Sequence, residues 1–211
     1  MRTRRWMSLG EFLLFLVIVF GGIAQGTFAQ QTGVTDKSQV AFRKDSTGFV
    51  YLAPGVNLKS YDTVVIGNFS IEGLANIGPG KLEELRDAYR SQLRAKLTAA
   101  GIFKEVTDDI SNASGPNTLV IWGDFLTMNP GSSAARFWVG MGAGKAEAEI
   151  KTYLSTTEEK NILLAHHLRP TSGARGGALG AKDGMGFLHQ GVDRISTFCV
   201  EYIKRVYQTG Q

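Results

Sequence analysis

Between Pro79 and Gly101 the chain carries Leu82, Leu85, Tyr89, Leu93 and Leu97 at spacings of three and four, with strand-like sequence on both sides. That spacing places all five on one face of an α-helix. Pro79-Gly80 suits a helix start and Gly101 a left-handed cap at its end. Arg86, Arg90, Arg94 and Lys96 fall mainly off the stripe. Upstream, Tyr61 to Ile71 is rich in β-branched and aromatic residues. Its centre, Val64-Val65-Ile66, is continuously apolar, as in a strand covered on both faces. A helix stripe and strands of this kind must bury one another, which calls for a sheet with helices laid on it.

The remaining elements extend that plan. Phe49 to Leu52 is a short strand ended by Pro54-Gly55, Ile102 to Val106 resembles another, and Thr118 to Met128 is a strong one ended by Asn129-Pro130-Gly131. Ala146, Ala148, Ile150, Thr152 and Leu154 alternate with Glu147, Glu149, Lys151, Tyr153 and Ser155. This period of two predicts a half-buried strand with its charged face in water. Polar Thr156 to Asn161 makes a turn, and Ile162 to Leu168 returns as the hairpin partner. The final helix buries Leu188, Val192, Ile195, Cys199, Tyr202 and Val206. The expected fold class is α+β: a mixed β-sheet with two amphipathic helices packed on it, in the order β-(β)-α-β-β-β-β-α.

The first residues have the shape of an export leader. Arg2, Arg4 and Arg5 precede an apolar run from Phe12 to Ala24, and small and polar residues come after it. Thirteen residues make a helix of about 20 Å, short of the ~30 Å hydrocarbon core. The pattern predicts a Sec-type signal peptide over 1–29, cleaved after Ala29, with cleavage after Gly26 or Ala24 as alternatives. An uncleaved leader anchored in the inner membrane is the competing expectation. Cys199 is the sole cysteine, so no cysteine succeeds the leader to carry a lipid. Residues 30–48 read as an exposed N-terminal arm, 49–207 as a single α+β domain and 208–211 as a tail. The expected location is the periplasm, with the membrane met only transiently through the leader.

Loss of residues 1–29 would remove three arginines and one glutamate, leaving 20 basic and 18 acidic residues. Such a balance has no basic block to track phosphates, so no nucleic-acid partner is expected. Glycine is the compositional outlier, 26 of 211 residues. Gly140, Gly142 and Gly144, with Lys145 after them, form a glycine loop that invites a nucleotide reading. A Walker loop needs glycine at Val139 and a hydroxyl residue at Ala146, and a dinucleotide fingerprint needs a helix where this sequence alternates as a strand. A bend or bulge is expected instead, and no cofactor.

Other candidates are equally modest. His166 and His167 are neighbours on a strand and leave opposite faces, so they do not chelate one ion, and no metal site is expected. Cys199 lies on the apolar helix face and reads as a core residue. The acidic pairs Asp108-Asp109, Glu147/Glu149 and Glu158-Glu159 read as solvated, salt-bridged surface. Arg136, Phe137 and Trp138 join a cation to large rings, as a partner-contact patch does, or else anchor the connection to its own domain.

The segment Tyr61-Asp62-Thr63-Val64-Val65-Ile66-Gly67-Asn68-Phe69, the helix ending at Gly101, Trp122-Gly123, Arg136 and the Gly140–Gly144 run before an alternating strand occur here in one order. In this order, over about residues 49–207, the chain resembles the exported domain-of-unknown-function family 4410 of Gram-negative bacteria. It is more distantly similar to envelope lipoproteins of the curli-secretion channel and penicillin-binding-protein activator type, without their lipidated cysteine. The resemblance implies an assembly or accessory role and transfers no functional residues. The expectation is therefore a non-enzymatic periplasmic accessory domain that binds another envelope protein or forms a homo-oligomer. A small-molecule or glycan-binding domain using Trp122, Trp138 and the glycine loops, or an enzyme with a site assembled from scattered Asp, Arg and His residues, is the alternative.

Overall fold

The computed structural model describes residues 33–115, 117–131, 145–157, 160–171 and 184–210. Their elements are β1 (Arg43–Asp45), β2 (Gly48–Leu52), β3 (Thr63–Ser70), α1 (Pro79–Ala100), β4 (Glu105–Thr107), β5 (Thr118–Asn129), β6 (Glu147–Thr157), β7 (Lys160–Leu168) and α2 (Gly184–Thr209). The strands form one sheet in the order β1-β2-β7-β6-β5-β3-β4. β3 pairs in parallel with β4 and with β5, whereas β5, β6, β7, β2 and β1 are joined antiparallel. The expected α+β class with a mixed sheet and two helices is what the chain adopts. Its one additional strand, β1, is three polar residues long and carries no alternation to reveal it.

Both helices lie against the same face of the sheet. Leu82, Leu85, Tyr89, Leu93 and Leu97 are all buried, and so is the α2 stripe from Leu188 to Val206. They share one core with Val64, Ile66, Phe69, Leu119, Ile121, Phe125, Ala148, Ile150 and Leu154. Phe69, Tyr89 and Phe125 meet edge-on at centroid distances of 5.1, 6.4 and 5.8 Å, joining β3, α1 and β5. α1 closes on Gly101, whose φ of 62° is the left-handed conformation a side chain resists. α2 packs closely on β6 at Gly191, where a Cβ would stand 2.9 Å from the Ala148 methyl. A larger residue there would push the helix off β6.

The N-terminal stretch is fastened to the sheet. From residue 33 it is mostly exposed, yet it is not a free arm. Val34 exchanges backbone hydrogen bonds with Ile162, at 3.2 and 2.8 Å. Asp36 caps a short 3-10 turn at Lys37–Gln39, and Val40 and Phe42 pack onto the sheet face that carries no helix. A few isolated apolar residues suffice for this because the sheet supplies the apolar floor. At the other end α2 runs to Thr209, so the stretch set aside as a tail begins inside the helix.

Candidate functional surface

Cross-strand partners share a face, so the register identifies what the helix-free side presents. Phe49 pairs with His167 and Tyr51 with Ala165; Lys151 pairs with His167, Tyr153 with Ala165 and Trp122, and Glu149 with Thr127. Two zones result. One is apolar and roofed by the N-terminal strap: Val120, Trp122, Tyr153, Ile162 and Ala165 lie beneath Val34, Val40 and Phe42. Trp122 and Tyr153 stack with centroids 4.6 Å apart, and the indole N–H donates to Ser155 Oγ at 2.8 Å. Lys37 bridges to Asp124 at 3.2 Å with its ammonium 5.9 Å from the Trp122 ring, fastening the strap across the strands.

The second zone is polar and centred on Glu149. Its carboxylate accepts from His167 Nε2 at 2.7 Å and from the Thr127 hydroxyl at 3.0 Å, with Arg169 at 3.6 Å. Arg169 also forms a forked pair with Glu147 and holds that carboxyl below its usual range. The expectation of salt-bridged carboxylates is met, but not that of open exposure. The Glu149 side chain is only 12 % exposed. His167, Thr127 and Arg169 enclose it, and the Phe42 ring packs against His167 and Lys151. Beside this zone stands Phe49, 46 % exposed, its ring 5.9 Å from that of His167. Sequence reasoning did not single out Glu149, His167 and Phe49 as neighbours, because only the pairing of β2 with β7 and of β7 with β6 brings them together. The alternation in β6 was the one available signal.

The chemistry of this cluster is that of a fastened surface. A hydrolytic triad places histidine between hydroxyl and carboxylate. Here the carboxylate stands between Thr127 and His167 and accepts from both, so the hydroxyl has no hydrogen bond to a ring nitrogen that could take its proton. Among the described residues no three His, Cys, Asp or Glu side chains converge to hold a metal ion. His166 leaves the opposite face from His167, as expected, and is fully buried. Its Nε2–H donates to the Thr47 carbonyl at 2.9 Å, and burial pushes its pKa down to about 4. His189 pairs with Glu84 at 3.3 Å on the helix surface. Cys199 is buried beside Tyr89 and Thr152, and burial pushes its thiol up to about 12, the state of an inert core cysteine.

Arg136, Phe137, Trp138, Gly140, Gly142, Gly144, Glu158, Glu159 and the leader with Ala29 lie outside the described residues. The described residues that follow the run, Lys145 and Ala146, lead into the strand β6. No helix among the described residues is long and apolar enough to cross a membrane.

Residues 80–177 match the family described as a domain of unknown function (DUF4410). The match begins in α1, so the β3 segment Tyr61–Phe69 lies outside it. No curated protein matches the chain in sequence. Among solved structures, the PelC dodecamer from Paraburkholderia phytofirmans is similar at 14 % identity and a TM-score of 0.40, over 70 % of this chain and 98 % of that one. A protein of the DUF330 family from Xanthomonas campestris is similar at 13 % identity and a TM-score of 0.42, over 76 % of this chain and 91 % of that one.

Proposed function

We propose that the chain is a non-enzymatic accessory domain of the bacterial envelope that binds another envelope protein or a second copy of itself through the helix-free face of its sheet. The observation that carries this is the make-up of that face. An exposed aromatic, Phe49, stands beside a hydrogen-bonded polar cluster of Glu147, Glu149, His167 and Arg169. Aromatic and arginine anchors on a rigid sheet are what a protein contact uses, since little side-chain entropy remains to be lost. The leader, with its 13-residue apolar run, supports export to the periplasm.

Glycan binding is the weaker alternative. Trp122 is 4 % exposed and roofed by the strap, so its ring offers no stacking platform in this conformation. The test is sedimentation of the exported protein purified gently from its native envelope, compared with a Phe49→Glu variant. The proposal expects a complex larger than one chain, lost in the variant while its circular dichroism is unchanged. A monomer in both preparations contradicts it.

A further inference from the structure

A cavity of about 280 Å³ opens beside α1, away from the helix-free face, lined by Ile66, Asp87, Arg90, Ser91, Arg94 and Asp108. It lies where β4 has ended, since the last β4 partner on β3 is Val65. We propose that this cavity binds a singly charged carboxylate. The site does not depend on the protein contact proposed above.

Arg90 carries the argument. Its guanidinium is partly buried and has no carboxylate within ion-pair distance among the described residues. Nη2 donates to the neutral Ile66 carbonyl at 3.3 Å, and Nε is buried without a partner. A cation withdrawn from water without an anion is costly, and an anion entering the cavity offsets that cost. Arg94 stands one helical turn on, along the same side. Its pairing with Asp108 is long, 3.3 Å to each oxygen, and both side chains are more than half exposed. Such a pair is weak and yields its guanidinium to a competitor at little cost. The neighbouring Arg86 already serves Asp87, at 3.2 Å. The site therefore offers one unpaired and one weakly paired guanidinium, with the Ser91 hydroxyl between them in sequence.

The sign and number of charges narrow the ligand. With Asp108 paired to Arg94 and Asp87 to Arg86, the one uncompensated charge at the cavity is that of Arg90, which a singly charged anion neutralises and a dianion would exceed. Guanidinium groups meet a planar carboxylate through two parallel hydrogen bonds. Either a free small carboxylate or the C-terminal carboxylate of a peptide supplies that chemistry.

The test is a nuclear magnetic resonance titration of the full chain with acetate, with inorganic phosphate, and with N-acetylated trialanine bearing either a free or an amidated end. The amides of Arg90 to Arg94 and Asp108 are expected to shift saturably with acetate or the free-acid peptide, and not with the amidated one. Tighter binding of acetate assigns a small solute; tighter binding of the peptide assigns a chain end. Arg94→Gln, at an exposed position, should weaken binding by about tenfold or more, the value of one charge-assisted hydrogen bond. Arg90→Gln should abolish it, and Arg90→Lys should restore part of it. If Arg90→Gln fails to fold, the Arg94→Gln titration decides alone. Absence of a saturable shift, equal response to the amidated peptide, stronger binding of phosphate, or binding undiminished in Arg94→Gln overturns the proposal.

Discussion

His166 makes the stability of this fold depend on pH in a window that can be worked out in advance. The ring is fully buried between β2, β7 and the turn that joins β1 to β2, with Nε2–H on the Thr47 carbonyl and Nδ1 without a partner. Burial dominates its titration and lowers the pKa from 6.5 to about 4; the Thr47 carbonyl and Asp45 oppose that shift and His167 adds to it. The folded state thus prefers the neutral ring. Its contribution is complete above pH 6.5 and is lost as pH falls from 6.5 toward 4, where the unfolded chain binds the proton first. A depression of this size corresponds to roughly 3 kcal/mol, a large part of the stability of an ordinary domain. Asp45 acts in a different window. Burial raises its pKa, but the bonds from Arg205 and Thr47 outweigh burial and hold it well below the carboxylate range, so its contribution is lost only below about pH 3.8. Urea unfolding between pH 7.5 and 4.5 should therefore show a midpoint that falls with pH in the native chain. In His166→Gln it should start lower and stay nearly level. Parallel slopes for the two proteins across that range would refute the reasoning.

The buried thiol, the strap and the glycine loop each set a further outcome. Cys199→Ala should cost about 1–2 kcal/mol through the small cavity it leaves, and the native thiol should resist a labelling reagent until the chain unfolds. Lys37→Ala should cost less than about 1 kcal/mol, because that ammonium is half exposed, yet amides 34–42 should exchange faster with deuterium as the strap loosens. Calorimetry with ATP, GTP and NAD should give no heat of binding; micromolar binding lost in Lys145→Ala would reverse the assignment of the glycine loop.

How far the sequence reached depended on whether a feature was periodic or assembled. The Leu82–Leu97 stripe, the Gly101 cap and the alternation in β6 are local, so α1, α2 and five strands were legible from the sequence, whereas the strand expected at Ile102–Val106 pairs only over Glu105–Thr107. The seventh, β1, forms because Arg43, Lys44 and Asp45 fold back on β2, an interaction with no period of its own. Alternation also placed Glu147 and Glu149 on the polar face of β6 without revealing how enclosed they are. Their partners Arg169, His167 and Thr127 come from β5, β7 and the residues after β7. Trp122 illustrates the same limit. As one position in an apolar run it served equally as core or as a binding platform, and only the strap held by Lys37 decides between them.

The central claim is that the helix-free face meets a protein, and photo-crosslinking in the exporting bacterium tests it most directly. A photoreactive residue is placed at Phe49 on that face, and in a second strain at Glu83, exposed on α1 on the other side. The account predicts a discrete adduct from position 49, to one envelope protein or to a second copy of this chain, and none from position 83. Adducts of equal yield from both positions, or from position 83 alone, would contradict it.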